Sequence, residues 1–159
     1  MKKMSRLEAV LWNIAFPGFS QLIIGQFIKG ILFVFLEILV NVMSNFNLAI
    51  MYSFLGKIEQ AEAVIDYQWL MFYPCLYMFS MWDGYRAAMP ENERYSFLPF
   101  VSCAYFVTVG LMLSPKVTVF HVHPGPVFLP MLFLIPGLVI GFIVKYLLFF
   151  FSKNKNLDG

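Results

Sequence analysis

The 11 Lys and Arg residues of this 159-residue chain constrain its fold more than any other feature, because they sort unevenly around its apolar segments. With four hydrophobic crossings, Lys2, Lys3, Arg6, Lys29, Arg86, Arg94, Lys145, Lys153 and Lys155 share one side, and Lys57 and Lys116 fall on the other. Basic loops stay on the cytoplasmic side of a bilayer, so nine against two is the bias of a multi-pass membrane protein with both termini in the cytoplasm. A fifth crossing, by the first apolar stretch, would leave six against five and no bias.

Composition points the same way. At 60% hydrophobic, 19% aromatic and 13% charged, the chain is too apolar to present a wetted surface all round. The stretches between apolar segments reach only about a dozen residues, so residues 1–159 read as a single domain with no separate soluble unit. The net charge of +2 gives no basic tract suited to nucleic acid. Cys75 and Cys103 sit inside apolar segments without disulfide or metal-ligand spacing and read as packing residues.

The expected spans are 30–56, 67–88, 95–114 and 127–151. The first is one apolar run that as a single helix would reach about 40 Å. The second carries Tyr67 and Trp69 at one end and Trp82 and Tyr85 at the other, an interfacial aromatic spacing. Pro115 stops the third, and Lys145 lies near the end of the fourth. Residues 7–24 are apolar but hold Glu8, Asn13, Ser20 and Gln21 and a Pro17-Gly18 break, so they read as two short pieces that are interfacial or re-entrant. Leu7, Val10, Leu11, Ile14 and Ala15 form a helical stripe, with Arg6, Glu8 and Asn13 off it. A cleaved signal peptide fits less well, since Glu8 stands where its apolar core should begin and no small-x-small site follows.

Pro17-Gly18-Phe19-Ser20-Gln21, with Gly25-Gln26 and Lys29-Gly30, resembles the Pro-Gly-x-Gly-Gln-x-Tyr-x-Gly signature of small bacterial multi-pass membrane proteins related to the two-transmembrane-helix domain family. Asp83-Gly84-Tyr85-Arg86 is similar to the Asp-Ala-Tyr-Arg box that closes a later helix in such proteins. The chain departs from the pattern at Ser20 (Gly in the family), Ile23 (Tyr) and Gly84 (Ala). The resemblance implies a membrane architecture and a bacterial cell membrane, and carries over no catalytic residue. Read from the residues alone, Pro17, Gly18, Gln21, Gly25 and Gly30 form a turn motif where the chain reverses or another backbone approaches, with Ser20, Gln21 and Gln26 available to satisfy the backbone groups freed there.

Glu37, Asn41, Ser44 and Asn45 repeat at helical spacing and place an acid, two amides and a hydroxyl on one intramembrane stripe. A carboxyl at span depth costs on the order of 2.5–3.5 kcal/mol on insertion scales, so it faces protein or water. The stripe either holds helices together or lines a hydrated path. Asp83 and Arg86, at i and i+3, read as a local pair at the cytoplasmic interface. Gly137 and Gly141 form a Gly-x-x-x-Gly that lets two helix backbones approach, within one chain or between two. His121 and His123 would project together from a strand, but two ligands without a Cys or carboxylate make no convincing metal site.

The expected fold is an all-α integral membrane protein, with four transmembrane helices preceded by a short interfacial or re-entrant N-terminal helix. No catalytic constellation, metal or cofactor is implied. The function expected is that of a noncatalytic accessory or assembly factor working through helix contacts, its partners the lipid bilayer and either another membrane protein or further copies of itself. The alternative is a small oligomeric channel or carrier using the Glu37 stripe.

Overall fold

The computed structural model of the protein describes residues 4–89 and 93–155, and every regular element among them is helical. Lys2, Lys3, Glu91 and Asn92, and the side chains of Lys153 and Lys155, lie outside the described residues. The order is α1 (Arg6–Ala15), α2 (Phe19–Ile23), α3 (Phe27–Ser44), α4 (Phe46–Phe54), α5 (Ile58–Val64), α6 (Tyr67–Leu70), α7 (Tyr73–Ala87), α8 (Leu98–Leu113) and α9 (Gly125–Lys155). Two of these, α3 and α9, are long and apolar enough to cross a membrane, with mean hydropathies of 2.0 and 2.6.

The longer helices run antiparallel to their neighbours. Lys29, Phe33 and Glu37 of α3 meet Asp83, Phe79 and Tyr73 of α7, one sequence rising as the other falls. Along α8 and α9, Gly141 lies against Pro99, Gly137 against Cys103, and Gly110 against Pro130 and Phe133. A Cβ on Gly137 would lie 2.9 Å from Cys103 Cα, and one on Gly141 2.6 Å from Pro99 Cα. The Gly-x-x-x-Gly contact is therefore made inside one chain, and it lets the α8 and α9 backbones touch.

The first two helices form a hairpin that enters and leaves at one end of the bundle. Arg6 reaches Tyr85 and Glu93, Asn13 reaches Ser80, and the Tyr77 hydroxyl donates to the Ile14 carbonyl at 2.6 Å, so α1 climbs α7 in reverse. After Gly18 the chain descends again, and Gln21 and Lys29 both meet Asp83. Arg6, Lys29, Arg86, Arg94 and Lys145 thus share one end, where Glu93 accepts from Lys145 at 2.6 Å and from Arg6 at 3.3 Å. At the opposite end lie Lys57 and Lys116, with His123 Nε2 2.8 Å from Glu62 Oε1.

Several expected elements are built differently. The single helix expected over 30–56 breaks at Asn45, which takes a left-handed φ of 56° that Asn tolerates better than most residues. Bonds gather around the break: Asp66 N–H donates to the freed Ser44 carbonyl, Asn47 N–H donates to Asn41 Oδ1, Ser44 Oγ donates to the Val40 carbonyl at 2.6 Å, and Asn45 Nδ2 donates to the Val64 carbonyl. Beyond the break, α4 turns away to pack on α5 and α9. The segment 67–88 is likewise divided, because Pro74 has no N–H to bond the Leu70 carbonyl and α6 ends there. In α1 the apolar stripe faces outward, with Leu7, Leu11 and Ile14 exposed, while Ala9 and Asn13 face the protein. His121 and His123 do not lie on an extended strand. Phe120 and His121 both have positive φ and close a two-residue turn between Val119 and Val122, which turns the two rings to different surroundings. Finally, α9 continues past 151 to Lys155.

Two outcomes follow from this architecture. Asn45→Gly should leave the thermal unfolding midpoint in detergent nearly unchanged, whereas Asn45→Val should lower it by the equivalent of about 1–2 kcal/mol, the cost of forcing a side-chain-bearing, β-branched residue into left-handed backbone. The Lys145 ammonium donating to Glu93 holds that carboxyl below the usual carboxylate range. Its stabilising contribution is complete above the unfolded-state value near 4.5 and is lost as pH falls through the lower folded value. A pH series of unfolding midpoints should therefore show an acid decline that is shallower in Glu93→Gln.

Candidate functional site

Pro17 and Gly18 interrupt the chain between α1 and α2, which strips Gly18 of a helical acceptor for its N–H while the residue remains buried. That N–H donates to Asn13 Oδ1 at 2.9 Å and to Ser80 Oγ at 3.1 Å. Asn13 in turn donates from Nδ2 to Ser20 Oγ at 2.6 Å and to the Ser80 carbonyl at 3.0 Å. Ser20 Oγ donates to Gln21 Oε1, and Gln21 Nε2 donates to the Ser80 carbonyl and to Asp83 Oδ2. Lys29 completes the chain, its ammonium 2.8 Å from Asp83 Oδ1. Asn13, Ser20, Gln21 and Ser80 are fully buried, so α1, α2 and α7 are locked by groups with no access to water.

The two motifs singled out in the sequence are the two halves of this interlock. Gly18, at φ 99°, faces Gly30, and a Cβ on Gly18 would lie 2.5 Å from the Gly30 carbonyl oxygen. Gly25 closes α2 with a left-handed φ of 87°, and Gln26 N–H donates back to the Gln21 carbonyl at 2.8 Å, as in a Schellman cap. A Cβ on Gly84 would overlap Ser20 Oγ and Asn13 Nδ2. Ser20 and Gly84, two positions where the chain departs from the pattern it resembles, are therefore one contact. The Ser20 hydroxyl occupies space that a methyl group at 84 would need.

Asp83 and Arg86 do not form the expected local pair. Both Asp83 oxygens are taken, by Lys29 and Gln21, while the Arg86 guanidinium lies over the Trp82 ring at 5.4 Å. The freed backbone group at the turn is satisfied by Asn13 and Ser80 and not by Ser20, Gln21 or Gln26; Gln26 Oε1 is buried without a partner. Asn13, Lys29, Ser80 and Tyr73 went unrecognised as site residues in the sequence. Asn13 stands off the apolar stripe, where a helix in an interface would turn it to water, and Ser80 is a lone hydroxyl in an apolar run.

The intramembrane stripe is also redistributed. Ser44 is buried and bonds within its own helix, and Asn45 turns to the Val64 carbonyl. Asn41 and Asn47 bond each other across the break, Asn41 Nδ2 donating to Asn47 Oδ1 and Asn47 N–H to Asn41 Oδ1. Glu37 keeps a carboxylate oxygen without a bonded partner. Its Oε1 accepts from the Tyr73 hydroxyl at 2.8 Å, and its Oε2 is buried without a partner. It lines an open-sided cavity of about 280 Å³ between the hairpin tip, α3, α4 and α7, with Ile38 and Val42 exposed at its edge.

Each polar side chain of the interlock is bonded to a neighbour. Cys103 is buried in α8 beneath Gly137, and His123 belongs to the far end with Glu62. Among the described residues no three His, Cys, Asp or Glu side chains gather as a metal site. Comparison with protein-family models, curated proteins and solved structures gives no match for this chain.

The Ser20–Gly84 contact makes a reciprocal prediction. Gly84→Ala alone should destabilise the folded protein by about 1–3 kcal/mol through overpacking against Ser20 and Asn13. Ser20→Gly relieves the Ser20 part of that clash but leaves Asn13 Nδ2 and Gln21 Oε1 short of a partner. The double variant should therefore be less stable than wild type yet more stable than the two single losses added together would make it, a coupling that a double-mutant cycle on unfolding midpoints in detergent measures.

Proposed function

We propose that this chain is a noncatalytic multi-pass protein of a bacterial cell membrane, and that it serves as an accessory or assembly factor through helix contacts. In this reading four crossings are made by α3, by α6 and α7 together, by α8 and by α9. The α1–α2 hairpin is re-entrant and both termini are cytoplasmic. The observation that carries the reading is an inversion of polarity. Among the described residues, six of the ten largest fully buried side chains are polar, namely Asn13, Ser20, Gln21, Ser44, Ser80 and Ser114. Large apolar side chains such as Ile31, Phe35, Val101, Tyr105, Ile135, Val139 and Phe142 point outward. Water would penalise that arrangement, whereas a hydrocarbon solvent favours it, because polar groups there must find partners inside the protein.

Sidedness is supported by the gathering of Arg6, Lys29, Arg86, Arg94 and Lys145 at one end of the bundle, opposite Lys57 and Lys116. Kinship with the small bacterial membrane proteins that the two motifs resemble is part of the same proposal. It draws support from the way those motifs interlock and from the reciprocal exchange at positions 20 and 84. The accessory role is favoured over conduction by the fate of the polar stripe, which ends at Asn45 with its amides and hydroxyl engaged, so that Glu37 faces a pocket and not a path.

Topology reporters test the arrangement. Fusions after Gly25 and Met89 should be active only as cytoplasmic reporters, and fusions after Gln60 and Thr118 only as exterior ones. A Gly25 fusion active outside would mean that the hairpin crosses. Liposomes holding the purified protein should show no ion flux, and flux abolished by Glu37→Ala would favour a channel or carrier.

A further inference from the structure

Glu37 is 5% exposed, yet only one of its two carboxylate oxygens is bonded. Burying half of a carboxylate without a donor is costly, so an unpartnered Oε2 calls for something to complete it. Among the neighbouring side chains only Asn41, whose Nδ2 has a second hydrogen, stands near the carboxyl as a further donor, and it is neutral. Tyr73 already donates to Oε1, Tyr77 donates to the Ile14 carbonyl, and the Asn41 and Asn47 side chains are bonded across the α3–α4 break. No Lys, Arg or His lines the cavity. Its missing complement is a hydrogen-bond donor that carries positive charge.

We propose that this cavity binds a small organic cation, a primary ammonium group on an apolar body. An ammonium supplies up to three donors from one compact charge, enough for Oε2 and for exposed oxygen around it. The rings of Phe16, Tyr73 and Tyr77 also line the cavity, and aromatic faces attract such a cation where water is excluded. A hard metal ion suits the site less well, because it would need several oxygen ligands and the amide oxygens are already engaged. The apolar body is accommodated next door. Ile50, Tyr73 and Tyr77 line a second cavity as well, of about 360 Å³ and almost wholly apolar, between α4, α7, α8 and α9.

This goes beyond the role in helix contacts, and its test is independent of sidedness because it uses purified full-length protein in detergent. Calorimetric titration at pH 7 with benzylammonium should give saturable binding of one ligand per chain. Benzyl alcohol, with the same ring and no charge, should bind at least about tenfold more weakly. Glu37→Gln should weaken ammonium binding by about tenfold or more. Ile50→Trp, which leaves the carboxyl in place and fills the cavity from α4, should abolish it, and it decides the matter if Glu37→Gln does not fold. Absence of saturable ammonium binding to the wild-type protein, equal binding of the alcohol, or undiminished binding by the folded variants would each overturn the proposal. A carboxyl that merely holds a proton would give the first of these results.

Discussion

The Gly18 N–H must find an acceptor at a point where the helix has ended and water does not reach, and much of the molecule is arranged around meeting that need. Asn13 and Ser80 both accept from it, which draws α1 onto α7. The amide end of Asn13 then requires acceptors of its own and takes Ser20 and the Ser80 carbonyl, which draws in α2. Gln21 extends the chain to Asp83, and Asp83 is balanced by Lys29 at the foot of α3. A partly satisfied network of this kind is worse than an apolar contact, because every orphaned group retains its desolvation cost. The glycines at 18, 30 and 84 are what allow the backbones close enough for the network to close.

The same need governs the two breaks in the later chain. At Asn45 the helix gives up its hydrogen-bond ladder, and Asp66 N–H and the Asn41 side chain take over the freed Ser44 carbonyl and Asn47 N–H. At Pro74 the ladder lacks a donor, and the chain resumes as α7. The tip of the N-terminal hairpin and the start of α4 then border the Glu37 cavity together with α3 and α7. The polar pocket is thus a product of interruptions. An unbroken helix over 30–56 would carry its polar side chains past the neighbours that here form the walls.

Legibility in the sequence was uneven, and for identifiable reasons. The helical character, the division of residues 7–24 at Pro17-Gly18, and the importance of Gly18, Gln21, Gly30 and Asp83 were visible because Gly, Pro and charged residues inside apolar runs are locally conspicuous. The place of Asn13 was missed because the amphipathic rule turns an off-stripe polar residue toward water. Here Asn13 faces a buried acceptor set, and Leu7, Leu11 and Ile14 face outward. The break at Asn45 was missed because hydropathy averages over the residues around it, although the cluster Asn41, Ser44, Asn45 and Asn47 is rich in side chains that compete with helical bonding. Asp83 with Arg86 satisfied the spacing rule for a local pair, but Lys29 and Gln21, more than fifty residues earlier, took both carboxylate oxygens.

What the sequence determined by itself was the local grammar. Apolar runs become helices, proline and glycine end them, and the unequal distribution of basic residues sets a preferred arrangement of the ends, since each depends on side-chain chemistry within a few residues or on a simple sum of charge. Tertiary structure decided which polar groups meet. Whether Gly84 makes room for Ser20, whether Asp83 bonds Lys29 or Arg86, and whether Glu37 faces lipid, a helix or a cavity all depend on atoms brought within about 3 Å by distant parts of the chain. Hydrogen bonding and overlap change steeply over tenths of an ångström, and no periodicity read along one segment carries that information.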